Sequence, residues 1–476
     1  MGLAATTAPP LPAGPLAQLE NLCDPGSFRA LRSGALAARL GERAAAGDGV
    51  VAGAGEVGGR PVFCYSQDAA YLGGSLGAVH AETIVRLLGL AGDAGAPVVG
   101  FVRSGGARLQ EGHSALAGYG RIFRARVQLS GRVPQISVLS GVSAGGGAYS
   151  PALTDFVVMT EEARMFLTGP QIVREALGEE VSMEDLGGPR LHSRNGVCQL
   201  AVADEEEAIA ATRRLLGLLA PRDGAPASPV RLGAPLAAVP DGSAAALDPS
   251  SLVPTAPRRT YDVRAVATAI CDAGGLFELS PRWAPNIVTA LARVEGRTVG
   301  IIANQPRALG GVIDAAAAEK AALFVAMCDR FRLPLVVLVD TPGFMPGRRQ
   351  EEAGVIRHGA SLLHAFAAAT VPKLTVVLRK AYGGAAITMN SRELGADVVY
   401  SWPGAEIGIM AACQAVGIVR RREIEAGGEG VREGLAIKYA AEHLTASAAA
   451  AAGWVDEVIE PAETRDRIAF ALRWGR

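Results

Sequence analysis

The chain has 476 residues, 49% of them hydrophobic and 20% charged, so it can bury a large core, and its length predicts two domains. The net charge is −1 and no long basic run occurs, which argues against a nucleic-acid-binding protein. No stretch approaches 18 continuous apolar residues, so no membrane span is expected. Six dispersed cysteines without a C-x-x-C pair indicate neither a zinc ribbon nor a disulfide framework, and they are typical of a reducing cytoplasm.

The first half of the chain alternates strand and helix signals. Residues 1–17 are rich in alanine and proline and predict a flexible arm. From 18 to 220, short apolar runs followed by helical periodicity predict an α/β domain with parallel strands. Within it, Gly53–Gly58 matches the G-x-G-x-x-G dinucleotide fingerprint, but another strand pattern follows where a helix would be needed. A hairpin turn is therefore favoured over a nucleotide site.

The second half repeats the first. Proline, alanine, glycine and serine dominate over 221–260, which predicts a linker, and 261–476 predicts a second domain of the same kind. Leu72-Gly73-Gly74 is matched by Leu309-Gly310-Gly311 at an offset of 237 positions. Later matches fall at an offset of 238, which predicts one inserted residue between the two sets. Matches kept in order over such a distance indicate a duplicated domain.

Each half contains a buried strand that ends in a glycine turn at the start of a helix. Gly145 and Gly146 form the first turn, and Gly383 and Gly384 form the second, 238 positions later. Glycine lets a ligand approach the backbone closely, and the first N–H groups of a helix have no intrahelical acceptor. Such amides stabilise negative charge on a carbonyl oxygen, as in an oxyanion hole. Two such turns predict group transfer between two carbonyl compounds, whereas a simple hydrolysis needs one. The alternative is that the glycines only permit tight packing of strand on helix.

A serine hydrolase is a second alternative. Gly141-Val142-Ser143-Ala144-Gly145 matches the G-x-S-x-G nucleophile elbow, and His192 is the nearest downstream histidine. The second turn has Ala381 where the serine would stand, so the two halves share the glycines and not the hydroxyl. The six histidines show no H-x-x-x-H spacing, and no metal site is expected.

Beyond these turns, the sequence resembles the carboxyltransferase (β) subunits of biotin-dependent acyl-CoA carboxylases, of the propionyl-CoA/acetyl-CoA type. The resemblance covers about residues 19–468. The stretches that carry it include Leu22–Phe28, Ser104–Gly112, Pro134–Val138, Tyr149–Phe156, Thr168–Pro170, Asn304–Pro306, Asp340–Phe344, Val355–Ala360 and Arg379–Ala385.

The resemblance implies a fold, an assembly and partners. The fold is α/β, with tandem crotonase-like (ClpP/crotonase) domains built from ββα superhelix repeats. The assembly is a D3 homo-hexamer in which the N-terminal domain of one subunit faces the C-terminal domain of another. Carboxybiotin arrives on a separate biotinylated α subunit, because this chain has no biotinylation motif of its own. The carboxyl group passes to the α carbon of an acyl-CoA, giving malonyl-CoA-type products, and no metal is required.

The same resemblance suggests roles for residues. The Gly145 and Gly146 amides would hold the thioester oxygen of the acyl-CoA. Gly383, Gly384 and Ala385 would bind biotin, with the last two amides on its ureido oxygen. Coenzyme A would contact the loop that starts at Ser104, Gly105, Gly106, Ala107 and Arg108.

Position 387 suggests the substrate. Ile387 stands near the active site, where propionyl-selective relatives have an acidic residue, so a broad or non-propionyl acyl specificity is expected. Two alternatives stay open for the whole chain. One is a decarboxylase of malonyl- or methylmalonyl-type thioesters on the same fold, and the other is a non-catalytic scaffold within a carboxylase complex.

Overall fold

The computed structural model describes residues 14–219, 248–256, 259–427 and 429–473. The chain divides into two compact units between Pro235 and Leu236. Most of the predicted arm and linker lies outside the described ranges. Where their edges are described, residues 15–17 and 249–252 are helical.

The first unit is built on one sheet. Its described strands β1–β8 are Arg29–Leu31, Val50–Val57, Arg60–Gln67, Val98–Ser104, Gln135–Ala144, Phe156–Thr160, Arg164–Phe166 and Leu200–Val202. Its described helices α1–α8 are Pro15–Leu22, Ala78–Ala94, His113–Leu129, Gly146–Ala152, Pro170–Leu177, Met183–Gly187, Pro189–His192 and Glu205–Leu218. Short 3-10 helices occur at Ala38–Arg43, Leu72–Gly74 and Leu109–Glu111.

The strand order in this sheet is β1-β2-β3-β4-β5-β6-β8, and β7 pairs with β5. The first three strands are antiparallel, and β3 to β8 pair in parallel. The central strands β4 and β5 are buried over most of their length, as expected for parallel strands covered on both faces. The Gly53–Gly58 stretch lies in β2 and in its hairpin turn into β3, as predicted.

The second unit repeats this topology. Its described strands β9–β16 are Phe277–Leu279, Ile287–Val294, Arg297–Asn304, Leu335–Thr341, Lys373–Tyr382, Val398–Ser401, Glu406–Gly408 and Glu457–Val458. Its described helices α9–α19 are Pro249–Leu252, Val263–Ala269, Ala315–Arg330, Arg348–Glu352, Val355–Ala368, Gly383–Thr388, Ala412–Val419, Arg421–Gly427, Glu429–His443, Ala446–Ala451 and Thr464–Leu472. Short 3-10 helices occur at Leu309–Gly311, Arg392–Leu394 and Pro461–Glu463.

The duplication extends to the register of the strands. The order here is β9-β10-β11-β12-β13-β14-β16 with β15 beside β13. Val98 pairs with Gln135 in the first unit and Leu335 with Lys373 in the second, at the predicted offsets of 237 and 238. Gly73 and Gly310 share a positive φ of 65° and 66° in the matching short helices.

The predicted single inserted residue is wrong in detail. The offset changes from 237 to 238 in the segment between β4 and β5 of the first unit and between β12 and β13 of the second. Helix α3 in the first segment has 17 residues, and its counterpart α13 in the second has 14. A longer loop before α13, which contains α12, more than compensates for that shorter helix. The connection after the helix is also one residue shorter in the second unit, so the offset of one residue is the net of three changes: five residues added before the helix, three removed within it and one removed after it. Among the described helices, none combines the length and the apolar character needed to cross a membrane.

Candidate functional site

The first glycine turn joins β5 to α4. Gly145 has a φ of 59°, a conformation that favours glycine, and α4 begins at the next residue. The Gly145 N–H donates to the carbonyl of Phe166 at 3.1 Å, so it is already used within the fold. The amides that start the helix without an intrahelical acceptor are those of Gly146 and Gly147. The predicted pair of amides is therefore displaced by one residue, since Gly145 shapes the turn and has no free donor.

The second turn joins β13 to α14 and has the same shape. Gly383 has a φ of 58°, within a degree of Gly145. At the offset of 238, Gly146 corresponds to Gly384, and Gly384 is exposed. Gly147 corresponds to Ala385, and both of these residues are buried. The structure thus places the predicted residues Gly383, Gly384 and Ala385 together at one helix start.

The two turns differ in the space around them. A Cβ atom placed on Gly146 would lie 2.7 Å from the ring of Tyr119, whereas the atom nearest to a Cβ on Gly384 is in Phe344, 4.0 Å away. The first turn is closely packed by an aromatic ring, and the second faces open space. Sequence inspection did not identify Tyr119, because it lies in the middle of α3 and no motif marks it.

The loop after β4 packs against the first turn. A Cβ atom on Gly147 would lie 3.0 Å from the Cβ of Ser104, and one on Gly106 would lie 3.5 Å from the carbonyl oxygen of Ala144. The Ser104 hydroxyl is buried and lies 3.0 Å from the Tyr119 hydroxyl. Burial raises the pKa of Tyr119 to about 12, so the phenol stays protonated. Of the five predicted loop residues, Gly105 is exposed, Ala107 is half-buried and the other three are buried.

The expectation that Arg108 contacts coenzyme A is wrong for its side chain. Its guanidinium is fully buried and donates to Asp48 at 2.6 Å and to Glu111 at 2.8 Å. A further bond reaches the carbonyl of Ser75 at 3.0 Å. Glu111 in turn accepts the N–H of Ala78 at the start of α2. Because every partner belongs to the fold, Arg108 fixes the loop and cannot reach a phosphate in solvent.

A buried polar cluster supports the strand that leads to the second turn. The Asp340 carboxylate lies 3.1 Å from Arg379, whose guanidinium stacks 5.1 Å from the ring centre of Tyr261. Burial raises the pKa of Asp340 although Arg379 opposes it. One strand position beyond Ala381, the Tyr382 hydroxyl donates to Glu406 on the neighbouring strand. These contacts hold the end of β13, and their only sequence signal is the run of polar residues that ends an apolar strand.

The nucleophile-elbow interpretation of Ser143 finds no support in the geometry. The Ser143 hydroxyl is fully buried and donates to the carbonyl of Gly147 at 2.8 Å. His192 lies 2.6 Å from the carbonyl of Met165, and its other ring nitrogen faces Asn195. The serine therefore closes the first helical turn, without the histidine partner that a nucleophile requires.

Ile387 lies one helical turn into α14 and is 40% exposed. It lines a cavity of about 580 Å³ together with residues of the second turn, β15 and α18. Sequence inspection identified the residue but not the cavity, because its other walls come from segments 20–70 positions further along the chain.

A family model described as "Carboxyl transferase domain" matches residues 15–475. The propionyl-CoA carboxylase beta chain of Saccharopolyspora erythraea is 46% identical over 90% of this chain and 80% of its own length. The methylmalonyl-CoA decarboxylase subunit alpha of Veillonella parvula is 45% identical over 90% of this chain and 82% of its own length.

The solved structures include a close relative. The transcarboxylase 12S structure, a hexamer with methylmalonyl-CoA and methylmalonic acid bound, matches with a TM-score of 0.89 and 44% identity. The match covers 96% of this chain and 88% of that one. It confirms the predicted tandem crotonase-like carboxyltransferase fold, and the family match over nearly the whole sequence confirms the predicted resemblance. The chain belongs to the carboxyl transferase domain family.

Proposed function

We propose that the protein transfers a carboxyl group from carboxybiotin, carried by a partner subunit, to the α carbon of an acyl-CoA. The observation that carries the proposal is the pair of glycine turns, with φ of 59° and 58°, each of which starts a helix. Each offers two adjacent backbone amides to one oxygen. Enolate formation on the acyl-CoA and release of the carboxyl group from biotin each create one such oxygen.

The first turn serves the thioester. The Gly146 amide, supported by Gly147, donates to the thioester oxygen as the α carbon loses its proton, which biotin would take up once its carboxyl group has left. Preorganised donors of this kind are typically worth a factor of ~100–1,000 in rate each. The Tyr119 ring against Gly146 fixes the turn, so the amides need no reorganisation when charge develops.

The second turn serves biotin. Open space around Gly384 fits a ring carbonyl approaching the backbone, and the amides of Gly384 and Ala385 would hold the ureido oxygen. Bound carboxybiotin supplies the carboxyl group. Asp340 pairs with Arg379, and Glu406 accepts from the Tyr382 hydroxyl, so these side chains hold the preceding strand in place and position the turn without touching the reacting atoms.

The partners follow from this chemistry. We propose a biotinylated α subunit, an acyl-CoA substrate and a homo-hexamer, as in the transcarboxylase 12S structure. Two domains at 18–220 and 261–476, joined by a linker at 221–260, fit the duplication. All six cysteines are free thiols, five of them buried, which supports a reducing cytoplasm as the working compartment.

A decarboxylase is the second candidate, because the Veillonella relative is named as one and the same amides stabilise an enolate formed in either direction. The pure chain is incubated with malonyl-CoA and methylmalonyl-CoA, with and without free biotin. Carboxyl transfer to biotin, with no CO2 release in its absence, supports the carboxyltransferase. Biotin-independent CO2 release decides for the decarboxylase.

A scaffold without activity is tested by substitution. Gly146→Val blocks the first turn and Gly384→Val the second, and each is expected to abolish transfer in the assembled complex. Unchanged transfer rates in both variants would show that the turns are not catalytic.

A further inference from the structure

Helix α3 packs along helix α4, which begins at the first glycine turn. The ring of Tyr119 on α3 covers Gly146 at the start of α4. Two helical turns later on the same face of α3, Arg126 donates to the Ser150 hydroxyl of α4 at 2.9 Å. The four residues from Gly146 to Ser150 span about 6 Å of helix, so the guanidinium lies roughly 10 Å behind the amides of the turn.

The Arg126 guanidinium is fully buried, and all of its acceptors are neutral. Besides Ser150, it donates to the side-chain oxygen of Gln135 at 3.3 Å and to the hydroxyl of Tyr65 at 2.5 Å. Among the described residues, no carboxylate forms an ion pair with it, whereas the equally buried Arg108 has two such partners. Burial of a guanidinium without a counter-ion is costly, and the side chain does not lose its proton. The interior beside the first turn therefore contains a positive charge that nothing neutralises.

The second unit also buries a cation at the base of its turn strand. Lys373 stands 238 positions after Gln135, and each of these residues begins the strand that leads to a glycine turn. The buried Lys373 ammonium donates to the carbonyls of Phe366 at 2.9 Å and Ala369 at 2.8 Å. In the described part of the chain it has no ion-pair partner either. The two units thus share a buried positive charge, and they do not share the residue that carries it.

We propose that Arg126 stabilises the enolate formed at the first turn, because its positive charge acts through space on the enolate oxygen. The inference rests on the proposed function. The guanidinium cannot touch the substrate, since it has no exposed surface. The intervening Ala148 and Ser150 are buried, so solvent screens the charge little.

The size of the effect follows from Coulomb's law. At an effective dielectric constant of about 20, a unit charge roughly 10 Å from an oxyanion changes a rate roughly 10- to 20-fold. The neutral thioester of the bound substrate gains little from the same field. The charge therefore raises kcat and leaves the affinity for the substrate nearly unchanged.

The first test removes the charge in the complex with the biotinylated partner. Arg126→Gln should lower kcat for carboxyl transfer about tenfold and change the KM for acyl-CoA less than about twofold. Arg126→Lys keeps the charge and should restore kcat to within about threefold of the wild type. The matched control is Arg124→Gln, at an exposed position of α3, which should change neither constant. An unchanged kcat in Arg126→Gln, or equal losses in the Gln and Lys variants, would overturn the inference.

The second test neutralises the charge in place and stays informative if Arg126→Gln fails to fold. Gln135→Glu puts a carboxylate of nearly the same shape against the guanidinium, where the amide oxygen now lies at 3.3 Å. It should lower kcat about tenfold, although a new ion pair holds Arg126 more firmly. Gln135→Met removes the same amide without adding a charge and should stay within about threefold of the wild type. A wild-type rate in Gln135→Glu, or equal losses in both variants, means that Arg126 is only structural.

Binding distinguishes a failure of this inference from a failure of the proposed function. If the wild-type complex transfers no carboxyl group, the proposed function fails, and calorimetry on the intact chain still tests Arg126. The probe is an acyl-CoA analogue in which an anionic nitronate replaces the thioester enolate, and the reference is the neutral thioether without a carbonyl group. Arg126→Gln should weaken binding of the nitronate about tenfold and that of the thioether less than about twofold. If both analogues lose affinity equally, or neither does, the charge of Arg126 does not act at the turn and the inference fails.

Discussion

The ring of Tyr119 lies directly over the backbone of Gly146, where a Cβ atom would be 2.7 Å from the aromatic carbons. Strand β5, helix α3 and helix α4 meet at this contact. It explains why the first turn requires glycine at a residue whose φ is ordinary. At Gly146, glycine is required because the aromatic ring leaves no room for a side chain. At Gly145, glycine is required because the backbone has a positive φ.

Gly146→Ala should therefore lower the carboxyl-transfer rate at least ~100-fold, because the methyl group must displace Tyr119 and shift an amide donor. Steady-state rates with the biotinylated partner measure it. The matched control is Gly120→Ala, next to Tyr119 on helix α3, where no atom lies within 4 Å of the new methyl group. It should keep full activity and gain up to about 1 kcal/mol of stability. Full activity in Gly146→Ala would contradict the role of the first turn.

Arg108→Gln should destabilise the first unit by about 3–5 kcal/mol, because the Asp48 and Glu111 carboxylates lose a buried guanidinium. Urea unfolding measures the loss. Arg121→Gln, at an exposed position of α3, should change the free energy of unfolding by less than about 0.5 kcal/mol. A variant that keeps its stability but loses affinity for coenzyme A would restore the substrate-binding role.

The sheet and the surroundings of Arg108 show which features of the fold could be predicted from the sequence. The duplicated sheet could be predicted, because buried parallel strands require continuous apolar runs, and turns with positive φ require glycine at fixed spacing. The partners of Arg108 could not, because Asp48 is 60 positions away and reaches it only through tertiary packing. A basic residue in a glycine-rich loop has the same local signal whether it binds a phosphate or a buried carboxylate.

The candidate site divides in the same way. The identity of both turns followed from the glycine pairs, but the choice between Gly145 and Gly147 as a donor depends on one hydrogen bond, from the Gly145 N–H to the Phe166 carbonyl. Phe166 belongs to β7, a strand of three residues that carries almost no periodic signal. The cavity beside Ile387 could not be predicted from the sequence either, because helices α17 and α18 form part of its wall.

Lys320→Met should destabilise the second unit. The buried ammonium donates to the carbonyls of Trp283 at 2.9 Å and Ile287 at 2.8 Å, and methionine fills the space but removes this donor from both carbonyls. The cost of an unsatisfied buried group is about 1–3 kcal/mol. Urea unfolding should show a loss of at least that size, while Lys438→Met, at an exposed position of α17, should be near neutral. Equal midpoints for the two variants would contradict this role.

His80 should make the first unit acid-sensitive. Its imidazole is fully buried, and burial, helped by the nearby charge of Arg108, lowers its pKa to about 3. A contact of the imidazole with the backbone of Asp48 opposes the shift. The unfolded chain takes up this proton near pH 6.5, so between pH 6.5 and 3 the unfolded state binds more protons. The contribution of neutral His80 to the free energy of unfolding is therefore fully present above pH 6.5. Below that pH it falls by about 1.4 kcal/mol per pH unit.

The measurement is the free energy of urea unfolding between pH 7.5 and 5, for the wild type and for His80→Gln. Glutamine is neutral throughout and can still face Gln67, which lies 3.2 Å from the imidazole. All other titrating groups are shared, so the difference between the two curves isolates His80. The wild type should lose stability more steeply than the variant below pH 6.5, and the curves should run parallel above it. Parallel curves over the whole range would mean that the folded protein protonates His80 as readily as the unfolded chain does.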